Sequence, residues 1–236
     1  KQDEINRILN KYSNCSGGDF LEKIIEELKL NIVVDGEENL PEDGKCIFVS
    51  NHPFGFADGL ALTHIVCKKY GHLKAIANDA FALIPQLHPF ITTVNVFGRS
   101  SKDYIKYLDE VYESNVPITH FPAGEVSRPY NGKIQDAPWQ KSFITKAVHC
   151  QRNVVPIFFH GRNSNLFYGI FRVRRFLKID SNIELILLPS EIFKKKGDTI
   201  RATIGKPIPF SVFDKTKTPW EWAQYVRTQL YKLEKN

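Results

Sequence analysis

The stretch FVSNHPFGFADGLAL, residues 48–62, decides how the chain is read. Its first residues complete an apolar run, KCIFVS, with the composition of a buried strand. The run stops at Asn51-His52-Pro53, and an apolar pattern with helical spacing resumes over residues 59–70. Pro53 and Gly55 oppose helical continuation, so the chain has to turn between the two elements. A strand feeding a helix through a tight loop is the repeating unit of α/β layer structures. In such sheets the residues just past the carboxyl ends of the strands point into the ligand crevice, and Asn51 and His52 stand there.

The same alternation runs outward from this loop. Upstream, QDEINRILNKYS and GDFLEKIIEELKL are short amphipathic helical patterns separated at Gly17-Gly18, a helical lead-in over residues 1–30, and NIVV follows as a strand. Downstream, LKAIAN, TTVNVF, VPITHF, NVVPIFFH, IELILL and IRATIG read as strands. Helical patterns fall at 101–115, with Ser100 or Ser101 as N-cap, at 139–150 and at 165–178. A terminal helix over 218–235 takes Thr218 as cap and Pro219 as its first residue. No repeat, low-complexity tract or linker divides the chain. The expectation is one α/β domain over residues 1–236, a mostly parallel central sheet flanked by helices, with its motif-bearing core at 45–205.

At 236 residues, 42% of them hydrophobic, the chain is long enough to bury the core of one large domain. A net charge of +6 suits an anionic partner: a membrane surface, a phosphate ester or an acidic carrier protein. Four cysteines without a C-x-x-C pair point to free thiols in a reducing compartment. No apolar run approaches the roughly 18–20 residues of a spanning helix, and the polar N-terminus is unlike a signal peptide. A soluble or peripherally attached protein is expected. There is no G-x-S-x-G, P-loop or G-x-G-x-x-G, and histidines and cysteines do not pair at metal-ligand spacings, which argues against serine hydrolases, nucleotide-binding enzymes and zinc sites. Basic residues concentrate only at 172–178 and no nucleic-acid motif occurs, so nucleic acid is not expected as a partner.

Three strand ends carry polar residues suited to a site. His52 and Asp58, with five residues between them, can face one another across the loop; an imidazole held by a carboxylate has a fixed tautomer and raised basicity. The isolated loop equally accommodates Asp58 as the cap of a helix beginning at Gly59, with His52 a turn residue. In ITHFPAGEVSRPY, residues 118–130, Gly124 lets backbone amides approach a phosphate or a developing oxyanion, flanked by Glu125 and Arg128. The plain alternative is a strand-to-loop turn with a surface ion pair. In TTVNVFGRSSK, Arg99 stands just past a strand end, where a guanidinium can hold a phosphate or carboxylate through paired hydrogen bonds. The segment NLFYGIFRVRRFLKI, residues 165–179, mixes aromatics with Arg172, Arg174, Arg175 and Lys178. That composition fits a helix on an anionic bilayer or on an acyl-carrier protein, and equally a helix packed on the sheet with a solvated basic face.

Taken in order, NHPFGFADG, NVFGR, FPAGEVSR and VVPIFFHGRNS resemble the four blocks of the glycerolipid acyltransferases related to bacterial lysophosphatidate acyltransferase, over roughly residues 45–205. The five-residue His–Asp spacing and Ala123 in place of the wider family's glutamate resemble the haemolysin-like branch, which includes O-acyltransferases of amino-acid lipids. The resemblance implies His52 as general base on the acceptor hydroxyl and Asp58 as its orienting carboxylate. It implies Arg99 on the acceptor's anionic head group, Phe121, Pro122, Gly124 and Glu125 shaping the acceptor site, and Pro156 marking the fourth block near the acyl donor. The implied partners are acyl-carrier protein or acyl-CoA, a lyso-lipid acceptor and the inner face of the cytoplasmic membrane, with no cofactor. Competing readings are a lysophospholipid acyltransferase, an N-acyltransferase of the same fold, and a non-catalytic membrane-binding module.

Overall fold

A computed structural model of the protein describes residues 1–77, 84–93 and 101–235. The chain opens with α1 (Gln2–Lys11) and α2 (Gly17–Glu27), followed by β1 (Asn31–Asp35), β2 (Cys46–Ser50), α3 (Phe56–Tyr70), β3 (Lys74–Ala77), β4 (Ile91–Thr93), α4 (Ser101–Glu113) and β5 (Ile118–His120). A hairpin of β6 (Arg128–Tyr130) and β7 (Lys133–Gln135) leads into α5 (Ser142–His149), β8 (Asn153–His160), α6 (Asn165–Phe176), α7 (Leu188–Lys194), β9 (Thr199–Ile204) and α8 (Pro219–Lys232). Seven strands form one sheet in the order β1-β9-β8-β2-β5-β3-β4. Every neighbouring pair is parallel except β8 and β9. The mostly parallel sheet, its flanking helices and the helical lead-in are those expected from the sequence.

Strand β2 shows why its sequence is apolar throughout. Cys46 and Phe48 enter one core cluster with residues of α1, α2 and α3, whereas Ile47 and Val49 enter a second with Phe143 and Ala147 of α5 and Trp222 and Val226 of α8. Successive side chains of a strand point to opposite faces, and helices cover both faces here, so no position is left for a polar residue until the strand ends. Because β2 and β5 are parallel and in register from Ile47–Ile118 to Val49–His120, the loops that follow them emerge side by side. That juxtaposition brings His52 to the FPAGE turn.

Three elements differ from the sequence reading. Helix α3 begins at Phe56, three residues before the apolar pattern, which puts Asp58 inside its first turn. IELILL is not a strand: residues Ile183–Leu187 form a 3-10 helix running into α7. Glu184 in that run is fully buried against Arg128 and Arg174, a tertiary demand that overrides the local β-type composition. The hairpin β6–β7 went unforeseen although its two-residue turn is Asn131-Gly132, both at positive φ, the strongest short hairpin signal. Only Thr92-Thr93 of the TTVNVF run belong to β4 within the described residues; the remainder, with Ser100, lies outside them.

Helix α1 is tied to α2 through one carboxylate. Glu27 accepts from Lys11 Nζ at 2.6 Å, Arg7 Nη2 at 2.8 Å and Tyr12 Oη at 2.9 Å. The Lys11 contact first, then Arg7 and Tyr12, hold its carboxyl down at about 2, from an ordinary 4.5. A depressed carboxylate contributes stability above its unfolded pKa and loses it as pH falls through the folded one. Docking of α1 is therefore expected to hold above pH 4.5 and to weaken between pH 4.5 and 2. Amide exchange over residues 2–11 should accelerate in that window, and Glu27→Gln should show the fast exchange already at pH 7. Equal protection in both proteins at pH 7 would remove Glu27 as the tie.

Candidate active site

The turn after β2 is held at every corner. Asn51 is buried, and its side-chain Nδ2 donates to the Phe159 carbonyl at 2.9 Å while its Oδ1 accepts from the Phe159 amide at 2.8 Å. The side chain thus extends the β2–β8 pairing by one rung past the last backbone partners. The His52 amide donates to Asp136 Oδ1 at 3.2 Å, and the His52 carbonyl accepts from the Ser127 amide at 2.8 Å. Asp136 is buried, accepts also from Ser127 Oγ at 2.6 Å and from Trp139 Nε1 at 2.8 Å, and is pushed upward in pKa by that burial. With its backbone fixed on both sides, the imidazole has a defined direction.

That direction is toward Asp58. His52 Nδ1 lies 2.9 Å from Asp58 Oδ1, and neither atom has a different hydrogen-bond partner. Asp58 is fully buried, and its other oxygen accepts the amides of Phe54 at 2.8 Å and Gly55 at 3.3 Å. The Gly55 amide is the N-cap amide of α3, the Phe54 amide comes just before it, and the positive end of the α3 dipole favours the carboxylate. Asp58 is thus a helix-start ligand through one oxygen and an imidazole ligand through the other; the two readings open in the sequence hold together. With a proton on Nδ1 facing the carboxylate, Nε2 is the ring nitrogen able to take a proton from a substrate. The Phe121 ring stacks on the imidazole with centroids 4.1 Å apart and an interplanar angle of 28°.

Two apolar cavities border this pair. The first, about 320 Å3, is lined by residues such as Leu21, Leu60, Leu87 and Phe90. The second, about 520 Å3, lies among α1, α2 and the segment 182–193, with Ile8, Phe20, Ile24, Leu188 and Ile192 in its wall. Their linings have two residues in common, His52 and Gly124. Gly124 takes φ +70°, and a Cβ there would meet nothing within 4 Å, so the backbone conformation requires glycine while the space beside it stays open. Its own amide closes the turn onto the Phe121 carbonyl at 3.0 Å.

The remaining sequence candidates distribute as follows. Glu125 lines the larger cavity and accepts from Tyr130 Oη at 2.9 Å. Pro122 is buried at the base of the turn, its carbonyl accepting the Gln140 amide. Arg128 is turned away from both cavities: its guanidinium is fully buried, 3.0 Å from Glu184, over the rings of Phe167 and Phe171. The surface Glu125–Arg128 pair considered above is not formed. Pro156 lies in the middle of β8 opposite Val49, and the fourth block reaches the site through Gly161 instead. Gly161 has φ +128°, and a Cβ there would fall 2.4 Å from the Phe54 ring, which occupies the His52 loop. Arg99 lies outside the described residues.

Comparison with known proteins gives the family and the fold. A family model described as acyltransferase matches residues 1–236. A lyso-glycine lipid O-acyltransferase of Phocaeicola vulgatus is 44% identical over 98% of this chain and 84% of its own length. The protein of the same name from Bacteroides thetaiotaomicron is 43% identical over 98% of this chain and 86% of its own. The chain belongs to the glycerolipid acyltransferase superfamily. The fold of this acyltransferase is also that of the 1-acyl-sn-glycerophosphate (LPA) acyltransferase PlsC from Thermotoga maritima, with a TM-score of 0.52 at 18% identity, covering 92% of this chain and 80% of that one.

Ser127, Asp136 and Gly161 of the acyltransferase were not singled out from the sequence, and Asn51 was placed at the strand end without its partner. Asn51 and Gly161 stand inside the motif blocks, so their place was visible but their partners were not; Asp136 lies on the strand exit of a hairpin that Asn131-Gly132 announces. Asp58→Asn keeps an oxygen for the Phe54 and Gly55 amides and removes the carboxylate facing His52. It should therefore melt close to the parent while transfer falls by roughly 10²–10⁴-fold, as with His52→Ala; full activity in either variant would leave the pair purely structural. Gly161→Ala should cost about 1–3 kcal/mol through overpacking against Phe54. A melting temperature within a degree of the parent would show that neither the φ of +128° nor the Phe54 ring constrains this position.

Proposed function

We propose that the protein moves a fatty acyl chain from a thioester donor, acyl-carrier protein or acyl-CoA, to the hydroxyl of a lyso-amino-acid lipid. The observation that carries this reading is the meeting of two apolar cavities at one His–Asp pair. A transfer between two chain-bearing substrates needs room for two chains and a base where their reactive ends meet. The names of the relatives support a glycine-lipid acceptor and ester formation, in preference to an amine acceptor.

In this mechanism His52 Nε2 takes the acceptor's hydroxyl proton as the oxygen attacks the thioester carbonyl. The C–O bond forms, the tetrahedral oxyanion collapses, the C–S bond breaks, and the departing thiolate takes the proton from the imidazolium. Asp58 stabilises that imidazolium across 2.9 Å and holds the tautomer between turnovers. Phe121 fixes the ring plane, Gly124 and Glu125 shape the entrance for the acceptor, and Arg99 meets its anionic head group. Pro122 anchors the turn, and Arg128 acts on the acceptor side by holding the Val126 carbonyl behind it. No cofactor takes part.

Purified protein given palmitoyl-CoA or palmitoyl-acyl-carrier protein should release free thiol when lyso-glycine lipid is added, with the diacylated lipid appearing in equal amount by mass spectrometry. His52→Ala should release thiol roughly 10²–10⁴-fold more slowly. Transfer to lysophosphatidate in place of lyso-glycine lipid would move the acceptor to the phospholipid class, and an amide product would overturn ester formation.

A further inference from the structure

Helix α6 has apolar residues on both sides. Phe167, Tyr168, Phe171 and the stem of Arg174 pack inward. A surface helix packed on a core is ordinarily polar on its other face, yet here Leu166, Val173, Phe176 and Leu177 recur at helical spacing on the outside, with Phe176 85% and Val173 58% exposed. The 3-10 turn Ile183–Leu187 continues the same surface through Ile183 and Ile186, the latter 78% exposed. More than half of the exposed large apolar side chains among the described residues fall between 166 and 186. Arg172, Arg175 and Lys178 are exposed among them.

This surface has a fixed shape. Glu184, fully buried in the middle of the exposed run, pairs with Arg174 Nε at 2.9 Å and Arg128 Nη2 at 3.0 Å. Drawing that one side chain inward turns its neighbours Ile183, Leu185 and Ile186 outward. Two positions with a second role follow: Asn182 and Leu185 are exposed and also line the 520 Å3 cavity that ends at His52, as does exposed Pro189. They form its rim.

We propose that residues 166–186 are the surface by which the protein sits on an anionic lipid bilayer, with the rim of the larger cavity opening at that contact. Large exposed apolar side chains ringed by arginine and lysine match a leaflet that offers hydrocarbon below and negative head groups above. An acidic soluble carrier would answer the charges and leave Phe176 and Ile186 without apolar cover. No helix among the described residues is long and apolar enough to span a membrane. The lateral route for the acceptor's chain, from leaflet to cavity to His52, rests on the lyso-lipid reading above; the bilayer contact does not.

The test is co-sedimentation with vesicles of phosphatidylcholine alone and with phosphatidylglycerol added. The parent should pellet with the anionic vesicles. Phe176→Ser with Ile186→Ser, and separately Arg172→Gln with Arg175→Gln and Lys178→Gln, should each weaken that partition at least tenfold at an unchanged melting temperature. The apolar pair should lose transfer to acceptor presented in vesicles in step with binding, and keep parental transfer to acceptor dispersed in detergent. Binding of the variants equal to the parent, or a parent that stays in the supernatant, overturns the surface. So does a parental dimer that the serine pair converts to monomer without change in vesicle binding. Vesicle transfer retained after binding is lost overturns the lateral route. Intact binding with no transfer in either format supports the surface and strikes the acyl-transfer reading alone.

Discussion

A carboxylate taken wholly out of water needs partners for its oxygens, and Asp58 obtains them from two sources at once. One oxygen receives the first amides of the turn leading into α3; the other faces the His52 ring. The loop between β2 and α3 is closed on itself by this one side chain, and the helix cannot start elsewhere without stranding the charge. With the His52 backbone also held by Asp136 and Ser127, the imidazole faces Asp58 on one side, stacks on Phe121, and stands where the two cavities meet.

The same constraint recurs on a larger scale at Glu184. An isolated buried ion pair is weak evidence for stability, since desolvation offsets much of the Coulomb gain. Here its consequence is geometric: two arginines from distant parts of the chain hold one acid inward and oblige an apolar run to face solvent. Arg128, which the sequence places beside a phosphate or oxyanion cradle at Gly124, is committed to this arrangement. The basic and aromatic residues of α6 likewise divide, Arg174 and Phe171 serving the interior while Arg172, Arg175 and Phe176 stay outside.

The arrangement separates chemistry from specificity. The His–Asp pair with its oriented ring is a general device for removing a proton from a hydroxyl, and nothing in it names the acceptor. Much of the larger cavity's apolar wall comes from α1, α2 and the 182–193 segment, elements outside the four motif blocks, while His52, Gly55, Gly124 and Glu125 of the blocks complete it. Membership of the acyltransferase superfamily is legible in the blocks, whereas much of the larger cavity's wall is not.

What the sequence determined by itself was the layer order and the gathering of strand-end residues at one end of the sheet. Unbroken apolar strands alternating with amphipathic helices require a sheet covered on both faces, and the residues just past neighbouring strand ends then fall together, as His52, Phe121 and Gly124 do. Such patterns are legible because they are local periodicities. Tertiary structure alone decided which polar groups meet: that Asp58 both starts α3 and holds His52, that Asn51 continues a strand pairing, that Asp136 fixes a backbone 84 residues away, and that IELILL coils instead of extending. Those outcomes depend on buried groups finding partners far along the chain, and the partner of a buried charge is a property of the packed interior, which no window of sequence contains.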